Sequence, residues 1–206
     1  MGSRSARWIL LVAGVAGAGL AQAGLPSSSL STVPNVLISP DGTLEYIVTV
    51  VGDTGPIDTA LVQLSFSAEA SNLICWCTGQ TKPLIEARTD AAGQASFFIA
   101  GGGCLNPDSV ATPPPVEVYA NGILLREVGV VSPDAVDSDG YLPTQGWNTG
   151  VLCTAGLSDA ARHTNPISSG QYDFCTDMDS DLDCDLEDAV AITPLLAGGA
   201  ACTRAP

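Results

Sequence analysis

From Val33 to Val131 the apolar residues alternate with polar ones or run in short blocks, and chain breaks recur at close intervals. "LEYIVTVV" and "LVQLSFS" place β-branched and aromatic residues as half-buried strands do. "NLICWC", "ASFFIA" and "VEVYANGILLREV" continue the series, and in the last Asn121-Gly122 suits a two-residue primed hairpin turn. "PDG", "GDTGP", "DAAG", "GGG" and "PPP" supply the breaks. No helix-period stretch falls in this part. Several short strands in roughly a hundred residues predict a β-sandwich.

Beyond Ser132 the pattern changes. "GLSDAARHT" (156–164) and "DLEDAVAIT" (185–193) share Leu, Asp, Ala and Thr at one constant offset. Each copy leads on to a Pro, a Gly and a Cys, so a short helical unit is predicted to occur twice. Between them "HTNPISSGQYDFCT", with Pro166 and Gly170, predicts poor helix, and Pro194 is expected to end or kink the second unit. The division that results is 1–23, 24–131 and 132–206.

Residues 1–23 read as a secretory signal. Arg4 and Arg7 form the basic start, Trp8 to Leu20 the apolar run, and Ala21-Gln22-Ala23 the small-x-small cleavage site. A secreted or cell-surface protein with no membrane span after cleavage is expected. The chain carries 22 acidic and seven basic residues, a net charge of −15, which argues against nucleic acid and anionic membranes as partners. The seven cysteines, Cys75, Cys77, Cys104, Cys153, Cys175, Cys184 and Cys202, suit disulfides in an exported chain, with one left over. His163 is the only histidine, so no Cys-His zinc pattern exists. In "ICWC", Cys75 and Cys77 would share one face of a strand, and one of them is expected to bridge to Cys104. Trp76 opposite them suits core packing, the alternative being a carbohydrate-stacking surface.

More than half of the acidic residues lie beyond Ser132, and they crowd into "DMDSDLDCDLED", 177–188. Carboxylates so close repel unless water or a cation offsets them. A twelve-residue calcium loop takes ligands from positions 1, 3, 5, 7, 9 and 12. Asp177, Asp179, Asp181, Asp183, Asp185 and Asp188 occupy those positions, with Asp183 expected to contribute its carbonyl rather than its side chain. Two positions depart from the usual loop. Leu182 stands sixth, where glycine makes the sharp turn, and Asp188 stands last in place of Glu. A second, less regular site is expected from Asp134, Asp137, Asp139 and Asp159, interrupted by "YLPTQGWNTG". The alternative for the whole stretch is a solvated acidic segment.

Two family resemblances follow from these residues. "GPIDTALVQLSFS" and "RTDAAGQASFFI" resemble the phrasing of bacterial Ig-like domains of the Big-1, invasin-like type, over about half of the chain that remains after the signal. The Asp-x-Asp-x-Asp start, Asp185 and Leu186–Ala189, in two tandem units each with one helix, resemble the F-hand repeats of dockerin-like domains. The expected fold class is therefore mainly β, an Ig-like β-sandwich followed by a small α-helical calcium-loop module. The resemblances imply spacer or adhesive roles for the first part. For the second they imply calcium binding and docking onto a cohesin-like or cell-surface protein. No catalytic motif is present, so a non-catalytic protein is expected. The alternative is an adhesin that binds a glycan through the sandwich, with the acidic end purely structural.

Overall fold

A computed structural model of the chain describes residues 24–74, 83–109, 114–134 and 157–192. In chain order its strands are β1 (Val36–Leu37), β2 (Glu45–Thr49), β3 (Val51–Gly52), β4 (Gly55–Pro56), β5 (Leu61–Phe66), β6 (Leu84–Arg88), β7 (Gln94–Phe98), β8 (Val116–Ala120), β9 (Ile123–Val128) and β10 (Val130–Val131). The helices are a single turn α1 (Ala68–Ser71), then α2 (Leu157–Ser169) and α3 (Leu186–Ile192). The molecule is mainly β.

The largest sheet is antiparallel in the order β6-β5-β8-β9. β2 pairs with β7 in a two-stranded antiparallel sheet, and β1 pairs in parallel with β10. Alternation sets the register in β2, β5, β7 and β8, each of which has one buried face. Val62, Leu64 and Phe66 of β5 and Val116, Val118 and Ala120 of β8 point inward, as do Tyr46 and Val48 of β2 and Ala95 and Phe97 of β7. All of them belong to one hydrophobic core. Between β8 and β9, Asn121 (φ 48°) and Gly122 (φ 79°) both adopt positive φ, the geometry of a primed two-residue turn.

Three expectations need correction. The described part of "NLICWC" is not a strand. The Ser67 hydroxyl accepts the Ala70 amide at 3.1 Å and caps the α1 turn just before it, and only Ile74 makes a β-bridge, to Gly101. Cys75, Trp76 and Cys77 lie outside the described residues, as do Cys153, Cys202 and Pro194. Secondly, α2 runs through Pro166 instead of ending early. The proline sits in its last turns, where the Ser169 hydroxyl bonds back to the Asn165 carbonyl at 2.7 Å and Gly170 (φ 63°) ends the helix.

The third correction is covalent. Cys104 pairs with Cys175 (Cα–Cα 5.6 Å), not with Cys75 or Cys77. Leu105 bridges to Val130, which carries Cys104 along β10 to the place where the C-terminal part packs. There Val131, Phe174, Met178 and Ile192 form a second apolar cluster, with Leu37, Cys104, Ile167 and Cys175 against it. Gly129 lies beneath Phe174, and a Cβ there would strike the ring and, at 2.6 Å, the Leu105 carbonyl.

Candidate metal centre

Alternate aspartates build the 177–188 loop by capping its own amides. Asp179 accepts from the Asp181 amide (3.3 Å), Asp181 from Asp183 (3.0 Å) and Asp185 from Glu187 (2.6 Å), each two residues ahead. Such short-range side-chain bonds bend the chain without secondary structure. Asp177 reaches farther, accepting from Asp181 at 3.1 Å and Leu182 at 3.3 Å. The turn needs two left-handed residues, Ser180 (φ 65°) and Leu182 (φ 75°), so the sixth position keeps its usual conformation with leucine in place of glycine.

Asp188 closes the loop. One carboxylate oxygen accepts the Met178 amide (2.6 Å) and the other the Asp185 amide (2.9 Å), which ties the second and ninth positions to the twelfth. Asp177 and Asp188 are both buried, and Asp179 is exposed at the rim. One oxygen from each of these three lies within 4.8 Å of the others, and the same holds for Asp183, Asp185 and Asp188. Asp188 belongs to both groups. Asp181 belongs to neither, and Asp183 presents its side chain where only its carbonyl was anticipated.

Electrostatics follow from this crowding. Burial pushes the Asp177 carboxyl up, against the loop amides that lower it. Burial likewise raises Asp188, helped by the charges of Asp179 and Asp177. Tyr172 lies beside Asp177, and its phenol is pushed up to about 12 by burial and then by the charge of that carboxylate. Buried carboxylates with raised pKa values are a strained set when ionised, and a cation among them removes the strain. The donors are all oxygens, which suits a hard divalent ion.

Apolar residues interleave and hold the loop to the rest of the molecule. Met178 and Cys184 point inward, and Cys184 is a free, buried thiol whose Sγ lies 3.3 Å from the Asp173 amide. Burial raises its pKa, so it packs here as a small neutral group. The Asn35 amide donates to the Ser180 hydroxyl at 3.1 Å, a direct contact between the loop and the N-terminal segment.

At the second expected site, Asp134 and Asp159 are buried, and neither belongs to a metal-sized group among the described residues. Asp134 packs its carboxylate against Gly102. Asp159 is the third residue of α2, as Asp188 is of α3, so the repeat seen in the sequence holds in structure at that position. Asp137 and Asp139 lie outside the described residues.

Sequence reasoning missed two contacts of α2 with the segment just before the loop. Arg162 of α2 forms an ion pair with Asp173, four residues before the loop. Burial raises Asp173, but the Arg162 hydrogen bond and charge outweigh it and leave the carboxyl below its ordinary value. His163 is buried beside it, with Nε2 donating to the Pro133 carbonyl and Nδ1 facing the Thr176 hydroxyl, both at 3.1 Å. Their place in the helical repeat gave no signal of either contact. No protein-family model matches the chain, and no curated protein or solved structure does. No helix among the described residues is long and apolar enough to cross a membrane.

Proposed function

We propose that the chain is an exported, non-catalytic modular protein whose 177–188 loop binds calcium and thereby orders a docking surface. In this reading the β part is an Ig-like sandwich of the Big-1 type and the C-terminal part a dockerin-like repeat. The observation that carries it is the close approach of Asp177, Asp179 and Asp188, one oxygen from each within 4.8 Å of the others and two of the three buried and raised in pKa. Asp181, Asp183 and Asp185 face water as a solvated segment would, and the reading rests on Asp177 and Asp188, which do not. Docking is supported by the outer face of the loop and α3. Leu182, Leu186 and Val190 are between 71% and 75% exposed, the last two one helical turn apart. Leu157, which opens α2 as Leu186 opens α3, is exposed as well. Exposed apolar residues in such a row mark contact surfaces.

The test is calcium titration of the intact chain. The melting temperature rises with calcium, and saturation a hundredfold above Kd contributes about 2.7 kcal/mol. Asp177→Asn with Asp188→Asn removes the rise while β-sheet circular dichroism persists. Terbium in place of calcium gives luminescence sensitised through Tyr172 and lost in Tyr172→Phe. A chain whose melting is the same in calcium and in chelator would end the metal reading. For docking, Leu186→Glu with Val190→Glu abolishes retention on a cell-surface fraction and leaves the calcium response intact.

A further inference from the structure

A pocket of about 340 Å³ opens where the N-terminal segment, β9 and the acidic loop meet. Its walls are part polar and part apolar. Arg126 comes from β9, Asp179 and Ser180 from the loop, and Ser28 and Thr32 from the N-terminal segment, with Pro34 as an apolar patch. Arg126 is fixed there by one donor, Nη1, on the Val33 carbonyl at 2.7 Å. In so acidic a chain a guanidinium is readily claimed by a carboxylate, as Arg162 is by Asp173. Among the described residues that is the one ion pair, and Arg126, an exposed residue, lines the pocket without a carboxylate partner among them.

We infer that this pocket binds a small hydroxylated carboxylate of the uronic-acid type. The planar guanidinium matches a carboxylate at two points, a fit no hydroxyl offers. Ser28, Thr32 and Ser180 offer hydroxyls to the ring hydroxyls of a sugar, and Pro34 offers an apolar surface to its face. The volume lies at the small end of the roughly 300–1,000 Å³ range of ligand sites, enough for one or two sugar rings and little more. An α-amino acid could set its ammonium on Asp179, but it would leave the hydroxyl wall unused. Asp179 also belongs to the metal-sized carboxylate group. Where the loop holds a cation, its charge is offset and no longer repels an incoming carboxylate. That coupling alone rests on the calcium reading; the Arg126 anchor does not.

The experiment titrates the intact chain with sodium D-glucuronate, D-glucose, acetate and glycine, followed by saturation-transfer NMR, in calcium and in chelator. Glucuronate binds at least about tenfold more tightly than glucose or acetate, and more tightly in calcium. Arg126→Gln weakens it about tenfold or more, as loss of a charge-assisted pair does. Thr32→Val weakens it severalfold with melting unchanged, and so keeps the result readable if Arg126→Gln disturbs the fold. Glucose binding as well as glucuronate would overturn the anchor, and acetate doing so would overturn the sugar. Preference for glycine, strengthened by chelator, would replace the ligand with a zwitterion. Direct calcium titration separates the two readings. If calcium binds and glucuronate ignores it, the coupling is wrong. If calcium does not bind, the chelator arm alone decides the pocket.

Discussion

In the β part, Val62, Leu64 and Phe66 meet Val116, Val118 and Ala120 in a core closed to water. In the 177–188 loop the order comes instead from carboxylates that cap amides, with Asp188 holding both ends. Burial of apolar area needs nothing from the solvent beyond water itself. Carboxylates gathered in one place depend on a counter-charge, and so on cation and pH. The two regions therefore respond to different perturbations, although Cys104–Cys175 and the Phe174 cluster join them.

The largest effect should come from cutting that join. Cys104→Ala with Cys175→Ala opens a cross-link spanning 71 residues, and loop-closure entropy puts the loss at about 4 kcal/mol. Because Cys175 lies two residues before Asp177, calcium affinity should fall as well, and urea unfolding at several calcium concentrations reads both. Unchanged calcium response would mean that the loop is ordered from within. Next in size, Leu64→Ala leaves a hole in a fully buried site and should cost about 2–5 kcal/mol. The loss should be equal in calcium and in chelator. A calcium-dependent loss would show that the core and the loop are not separate sources of stability.

The strands were legible where one face is buried and the other wet, as in "LVQLSFS" and "VEVYA". β6 was not, because it buries neither face fully and leaves no clean alternation. The loop's turns follow the spacing of its aspartates, since Asp179, Asp181 and Asp185 each accept an amide two residues ahead. The disulfide was not legible. Pairing depends on where the chain returns in space, and Cys104 meets Cys175 only because the tail packs against β10. The pocket beside Arg126 was invisible for the same reason, being assembled from three distant segments.

His163 offers a pH test of the join. Burial lowers its pKa from 6.5, with the Arg162 charge adding to the effect and the Pro133 bond, Asp159 and Asp173 opposing it. The folded chain thus disfavours the proton that the unfolded chain accepts. Its contribution is complete above pH 6.5 and is lost as pH falls through the depressed folded value. One proton limits the slope to about 1.4 kcal/mol per pH unit. Asp177 and Asp188, both raised by burial, act in the opposite sense, so the scan is run with and without calcium. His163→Gln should flatten the fall in stability between neutrality and mild acid. A wild-type slope that survives the substitution would place the pH response elsewhere.

The smallest effect, and the sharpest on the loop itself, concerns Leu182. Its φ of 75° is a left-handed conformation that costs a branched side chain about 1–2 kcal/mol, and it is 73% exposed, so little packing repays the cost. Glycine would relieve the strain but add freedom to the unfolded chain, a loss of about 0.5–1 kcal/mol. Leu182→Gly should therefore stabilise the chain by about 0.5–1 kcal/mol and raise calcium affinity slightly, as read by paired melts with and without chelator. The same substitution removes an apolar side chain from the proposed docking face, so retention on a cell-surface fraction should weaken as stability rises. Opposite movements of those two readouts would explain a leucine at a glycine position: it is kept for a contact outside the loop. If both fall together, the leucine supports the loop after all, and the outer face loses its role.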